Sequence, residues 1–193
     1  MKLNEKVILV DCDGVLLDWM HSFNEWMTSH GYSLKEPDQY DLNIAYGIDK
    51  AESKKLVASF NESAAIGWLT PFRDAIKYVR ELHEVHGYVF HCITSLSTNR
   101  YAYELRLKNL HRVFGKTVFE KLVCLDTGAD KDEALSAYKD TDCFWIEDKP
   151  ENAVVGSKLG LRAILIRHDH NANFFDPDIP VAKNWKEIYE MIV

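Results

Sequence analysis

The stretch Val7-Ile8-Leu9-Val10-Asp11-Cys12-Asp13-Gly14-Val15-Leu16-Leu17 decides the fold. Four apolar residues, three of them β-branched, run straight into acid, small residue, acid and glycine, the pattern of a buried strand ending in a polar turn. At the centre of a parallel sheet, such a strand aims its carboxyl end at the crevice where open α/β folds bind ligands, with Asp11 and Asp13 at the rim. Two carboxylates so close repel each other unless a divalent cation, a proton or a cationic neighbour compensates them. Gly14 lets the backbone turn sharply at this point.

Beyond Leu17 the period changes. Trp19, Met20, Phe23, Trp26 and Met27 form one apolar stripe of a helix that fades near Gly31. The text up to Trp68 is polar, dotted with aromatics and interrupted by Pro37 and Gly47, with a second helical piece over 51–60. It reads as a small helical insertion. Thr70 before Pro71 marks a helix start, and Phe72, Ala75, Ile76, Val79 and Leu82 repeat at helical spacing until Gly87. Strands follow at 88–93, 122–125, 143–146 and 163–166, alternating with helices, of which one opens at Pro150 and closes at Gly160; an irregular tail and a helix over 185–191 end the chain. This alternation implies an α/β fold with a doubly wound parallel sheet. Residues 1–18 and 67–193 form its core, and 19–66 the insertion after the first strand.

Composition narrows the function. The 193 residues suit one α/β core with a modest insertion. A net charge of -7, from 23 Lys and Arg against 30 Asp and Glu, argues against a basic face that coats polymeric nucleic acid or an anionic membrane. Cys12, Cys92, Cys124 and Cys143 lack metal-ligand spacing and lie in or at the end of apolar runs, so they read as buried thiols in a reducing, cytoplasmic setting. No apolar run approaches the roughly 18 residues of a membrane span, and Met1 to Lys6 is too short and polar for a signal peptide.

Polar residues recur just after the strands: Asp11 and Asp13 after the first, Thr94 and Ser95 after the second, Glu147 and Asp148 after the fourth. All would face one rim. A phosphoryl group there needs a hard cation with oxygen ligands, which Asp11 and Asp148 can share, and Mg²⁺ suits because it keeps waters and binds few carboxylates. It also needs donors, which Thr94, the loop amides after Asp11 and Lys131 can supply. Asp11 then serves as nucleophile and Asp13 as acid toward the leaving oxygen. Asn152, in the first turn of the helix opened by Pro150, points back at Asp148. Competing readings exist for several of these: Ser97 and Thr98 suit helix capping as well as Thr94 does, and Lys116, Lys121 and Lys139 lie near Lys131. His168-Asp169-His170 reads as a solvated loop.

These residues resemble the motifs of the haloacid dehalogenase superfamily. Asp11-Cys12-Asp13-Gly14-Val15 looks like its first motif, Thr94 the second, Lys131 the third, and Asp148 with Asn152 the fourth. The resemblance implies a phosphoaspartate on Asp11, acid/base catalysis by Asp13, and Mg²⁺ held by Asp11, Asp148 and the backbone carbonyl of Asp13. It also implies that the insertion is a cap closing over the substrate. An acid at position 13 favours phosphate chemistry over dehalogenation. Glu147 departs from the residue often found there and offers an alternative metal ligand. The run after Gly14 and the short cap look most similar to the 5'(3')-deoxyribonucleotidase branch. The expected function is a Mg²⁺-dependent phosphomonoesterase on a small phosphorylated metabolite, with a nucleoside monophosphate meeting Trp19, Phe23, Trp26 or Tyr46 in the cap and Ser95 at the core. The alternatives are a phosphotransferase or phosphomutase, a sugar-phosphate phosphatase, a non-catalytic binding module, and aromatics that serve only as cap core.

Overall fold

The structure is a computed structural model that describes residues 6–37, 39, 41–72 and 74–193. Residues 1–5, part of the short polar lead-in, lie outside it. The strands are β1 (Lys6–Val10), β2 (Tyr88–Thr94), β3 (Phe119–Cys124), β4 (Phe144–Glu147), β5 (Arg162–Ile166) and β6 (Val181–Ala182). They form a single sheet in the order β3-β2-β1-β4-β5-β6, every pair parallel. β1 is flanked on both sides, with Val10 opposite Cys92 of β2 and Ile146 of β4. The chain winds one way from β1 to β3 and the other way from β4 to β6, so the carboxyl end of β1 sits at the point where the winding reverses.

The alternation of a strand splits the apolar residues between the two faces of this sheet. Ile8, Val10, Phe90 and Ile146 pack into one core with Trp185, while Leu9, Trp145 and Leu165 pack into the other with Leu135. The helices α1 (Trp19–Ser29), α2 (Leu42–Tyr46) and α3 (Lys50–Asn61) belong to the insertion, while those of the core are α4 (Ala75–Glu84), α5 (Arg100–Phe114), α6 (Asp132–Ser136), α7 (Pro150–Lys158) and α8 (Trp185–Ile192). Short 3₁₀ turns occupy Ala64–Trp68 and Asp169–Asn171.

Three local expectations need correction. The helix expected at Thr70-Pro71 begins at Ala75, because the residues before it hold the two ends of the insertion together. Leu17 and Pro71 form an antiparallel bridge, the Asp18 amide donates to Thr70, and the Phe72 amide donates to Leu16. The insertion also contains α2, a piece too short to show a helical period. β6 is likewise only two residues long and lies in what the pattern presents as an irregular tail.

Gly156 on α7 faces Trp145, which is fully buried in β4. A Cβ at position 156 would lie 2.4 Å from Trp145 Cδ1. In an open helix Gly→Ala gains up to about 1 kcal/mol, but overpacking of this kind costs about 1–3 kcal/mol. The clash therefore wins, and Gly156→Ala should lower the thermal midpoint by several degrees. An unchanged or raised midpoint in a thermal melt would contradict this packing.

Candidate active site

The carboxyl ends of β1, β2 and β4 open into a cavity of about 1000 Å³ whose far wall is built by the insertion. Asp11, Asp13, Thr94, Ser95, Lys131, Glu147, Asp148 and Asn152 all line it. The topology thus gathers every core residue that the strand-end pattern picks out, from segments more than 130 positions apart.

Asp11 follows β1 directly and is nearly buried. Its Oδ1 accepts from the Cys12 amide at 2.7 Å and lies 2.8 Å from Lys131 Nζ. Both contacts fall on one oxygen, which leaves Oδ2 to the cavity. Lys131 caps the start of α6 and is 2% exposed; its ammonium also reaches Glu147 Oε2 at 2.8 Å. Glu147, the last residue of β4, is fully buried and saturated. Its Oε1 accepts from the Asp148 and Lys149 amides at 3.0 Å each, and Oε2 accepts from Lys131 and, at 3.1 Å, from Asn152 Nδ2. Asn152 therefore supports Glu147 and not Asp148, contrary to the expectation.

Asp148 is the less buried acid of the pair and sits directly over the backbone of Gly14. Gly14 has φ +82°, and a Cβ there would fall 2.5 Å from Asp148 Oδ2, so only glycine leaves room for that carboxylate. Ligand oxygens of Asp11, Glu147 and Asp148 all lie within 4.8 Å of one another. Three carboxylates here face a single ammonium, which leaves two negative charges uncompensated when all ionise. Burial and the Glu147 charge accordingly push Asp11 up to about 8 despite the pull of Lys131, and burial with Glu147 raises Asp148 well above the usual range. Lys131 is itself raised, because the adjacent Asp11 and Glu147 outweigh its own burial. Glu147 is lowered: Lys131, the Asp148 side chain and the Lys149 amide overcome the cost of its burial. The donor set is all oxygen, its charge deficit is two, and Gly14 keeps space for it. These features fit a hard divalent cation held by Asp11 and Asp148.

No family model matches the chain. An uncharacterised 32.4 kDa protein from the gp30–rIII intergenic region of enterobacteria phage T4 is 27% identical over 124 residues, 61% of this chain and 44% of that protein. The match thus spans less than half of the relative. Among solved structures, a haloacid dehalogenase-like hydrolase from Streptococcus pneumoniae superposes with a TM-score of 0.69 over 98% of this chain and 99% of its own, at 15% identity. An L-2-haloacid dehalogenase gives 0.62 over 98% and 100%, at 15% identity. CbbY from Rhodobacter sphaeroides, solved with phosphate, gives 0.63 over 95% and 96%, also at 15% identity. The chain has the haloacid dehalogenase-like fold.

Asp13, Thr94 and Ser95 share the core wall of the cavity. Asp13 lines the cavity beside the acidic cluster and has a cation of its own. Arg106 Nη1 and Nη2 bind its Oδ1 and Oδ2 at 2.5 and 3.0 Å, which leaves the metal contact expected of Asp13, through its backbone carbonyl, untouched. Ser95 donates its hydroxyl to the Ala129 carbonyl at 2.7 Å, which ties the loop before Lys131 to the end of β2. Thr94 is the terminal residue of β2 itself and is 1% exposed. Of the four aromatics proposed to meet the substrate, only Trp19 lines the cavity. Phe23 stacks on Trp19 at 4.6 Å and is buried, Trp26 packs edge-on against Phe60, and Tyr46 is buried with its hydroxyl on Asn24. These three form the apolar centre of the insertion.

Two contributors escape the strand-end pattern. Arg106 is fully buried in α5 and also donates to Cys12 Sγ at 2.8 Å. Its signal was present, because it shares the buried face with Ala102, Asn109 and Leu110, where an unpaired cation has no place. The loop after β5 is the other. His168 Nε2 meets the Gly14 carbonyl at 2.6 Å, and Asn171 Nδ2 donates to the Asp148 carbonyl at 2.7 Å. His170 Nε2 lies 3.4 Å from Asp148 Oδ2. This loop is part of the site wall, not a solvated excursion.

The raised acids give a pH dependence. Folded Asp11 titrates near 8 and an unfolded aspartate near 3.8, so between these values the folded chain binds more protons than the unfolded one. Stability in chelator should therefore fall as pH rises from about 4 toward 8; Glu147, being lowered, acts only below 4.5. Divalent cation should restore the melting temperature more at pH 8 than at pH 5. A cation effect independent of pH, or largest at pH 5, would contradict the charge balance described.

Proposed function

We propose that this chain is a Mg²⁺-dependent phosphomonoesterase acting through an aspartyl-phosphate on Asp11. Its substrate is a small phosphorylated metabolite, and the four free thiols fit work in a reducing cytoplasm. The observation that carries the reading is the asymmetry of Asp11: Lys131 and a backbone amide hold Oδ1, while Oδ2 is left to the cavity beside Asp148. A nucleophile held by one oxygen is oriented without being blocked.

Asp11 Oδ2 attacks phosphorus, the bond from phosphorus to the leaving oxygen breaks, and water then attacks the same phosphorus to return Asp11 to a carboxylate. Lys131 keeps Asp11 aligned and places positive charge beside the transferring group. Glu147 and Asn152 keep Lys131 aligned in turn. Thr94, at the end of β2, is the candidate hydroxyl donor to a phosphoryl oxygen. Asp13 serves as the acid for the leaving oxygen, and both its oxygens sit on Arg106, so proton delivery requires that pair to loosen. Asp11 and Asp148 would hold Mg²⁺, which would supply charge neutralisation for the incoming phosphate. The insertion acts as the cap. A nucleoside monophosphate is the preferred substrate class, with Trp19 as the aromatic that meets the base.

A phosphate-release screen over phosphorylated metabolites tests this. Turnover should require Mg²⁺, and Asp11→Asn should lose several orders of magnitude while melting normally. Near-normal release by Asp11→Asn, or full activity in excess chelator, would refute the mechanism. Trp19→Ala should raise KM for nucleotides about tenfold or more, the equivalent of roughly 1–3 kcal/mol of stacking, and leave a small aryl phosphate unaffected. Equal losses on both substrates would reduce Trp19 to a packing residue.

A further inference from the structure

The two walls of the cavity differ in charge. On the core wall, Lys131 and Lys149 stand among the acids; on the insertion side, the charged residues among those described are Asp41 and, at the junction where it caps α1, Asp18. The lysines of the insertion, Lys35, Lys50, Lys54 and Lys55, do not line the cavity. The uncharged polar groups that do line it include Asn24, Asn43 and Ser53. Asn24 has a defined orientation. Its Oδ1 accepts from the Tyr46 hydroxyl at 2.6 Å, which leaves the amide N–H groups to face a ligand oxygen.

We propose that the insertion is a charge filter: the substrate carries one phosphoryl group on an uncharged, hydrogen-bonding leaving group, and esters with a second phosphate or a carboxylate at the far end are rejected. This rests on the phosphomonoesterase reading and adds to it. A second phosphate would call for an Arg fork or a Lys at the insertion wall. It would meet Asp18 and Asp41 instead, and like charges brought together there repel. A neutral hydroxyl, carbonyl or amide meets Asn24, Asn43 and Ser53 without that repulsion.

The two acids can be altered without touching the chemistry. Asp41 precedes α2, is exposed, and makes no capping hydrogen bond with its side chain, so Asp41→Lys removes no such bond. Asp18 caps α1 by accepting from the His21 amide at 3.0 Å, a role that Asn also fills.

The experiment compares kcat/KM at low ionic strength for p-nitrophenyl phosphate, a nucleoside 5'-monophosphate and the corresponding 3',5'-bisphosphate. The monophosphate should exceed the bisphosphate by at least about tenfold, and the ratio should shrink as salt screens the wall. Asp41→Lys, and to a lesser degree Asp18→Asn, should narrow the ratio while turnover of p-nitrophenyl phosphate stays the same. Equal use of both nucleotides by the unmodified protein overturns the filter but not the phosphatase. A ratio that neither substitution changes overturns the assignment to these acids. Absence of turnover on all three substrates overturns the phosphomonoesterase reading, and the filter falls with it.

Discussion

Three carboxylates gathered around one buried ammonium set the terms for this structure. Asp11, Glu147 and Asp148 come from the ends of two neighbouring strands, and Lys131 lies between the first two at 2.8 Å from each. An isolated buried charge would cost several kcal/mol, and a buried pair is tolerated only when its remaining lone pairs and protons are satisfied. Glu147 meets that condition through four donors, and Asp11 only on one oxygen. The contrast divides their roles. The saturated acid has its acceptors in use, and the half-satisfied acids keep the capacity to bind something positive. Burial raises Asp11 and Asp148 together, and the Glu147 charge adds to the rise in both.

The same constraint explains why the site needs the whole chain. Each acid of the first loop is compensated by a cation or donor that arrives later in the sequence: Asp13 by Arg106 from α5, Asp11 by Lys131 at the start of α6, and the Gly14 carbonyl by His168 after β5. The parallel order β2-β1-β4 brings these elements to the carboxyl end of β1. A fragment ending before β4 would leave Asp11 and Asp13 on the loop without Glu147, Asp148 or the loop after β5.

Much of this was legible because it depends on short-range chemistry. A β-branched run ending in Asp11-Cys12-Asp13-Gly14 specifies a buried strand and a tight turn whatever surrounds it, and repeated polar residues at strand ends identify the rim. What escaped was long-range. Arg106 lies 93 positions from Asp13, and nothing local in the text around Asp13 demands an arginine partner. The helical stripe that places Arg106 on a buried face was readable, but which anion it meets depends on how α5 packs. The aromatics mislead for a related reason. Trp19, Phe23, Trp26 and Tyr46 are close in sequence and equally suited to stacking on a ligand, yet Phe60 from α3 completes a ring cluster that turns three of them inward. Pattern alone cannot say which face of an aromatic helix its neighbours will cover.

Trp19 shows how the insertion and the core become one site. Its indole N–H donates to Asn61 Oδ1 at 2.9 Å, and Asn61 Nδ2 donates to the Leu96 carbonyl at 2.9 Å, two residues beyond Thr94. Ser97 extends the seam by donating to Glu62 at 2.7 Å. Asn61 is 3% exposed, and a carboxamide buried to that extent must satisfy both its donor and its acceptor. It can do so here only if α1 and the loop after β2 keep a fixed spacing on either side of α3. The Trp19 ring and the loop after β2, which line the cavity from opposite sides, are therefore held by one buried side chain, and the distance between them is built into this seam.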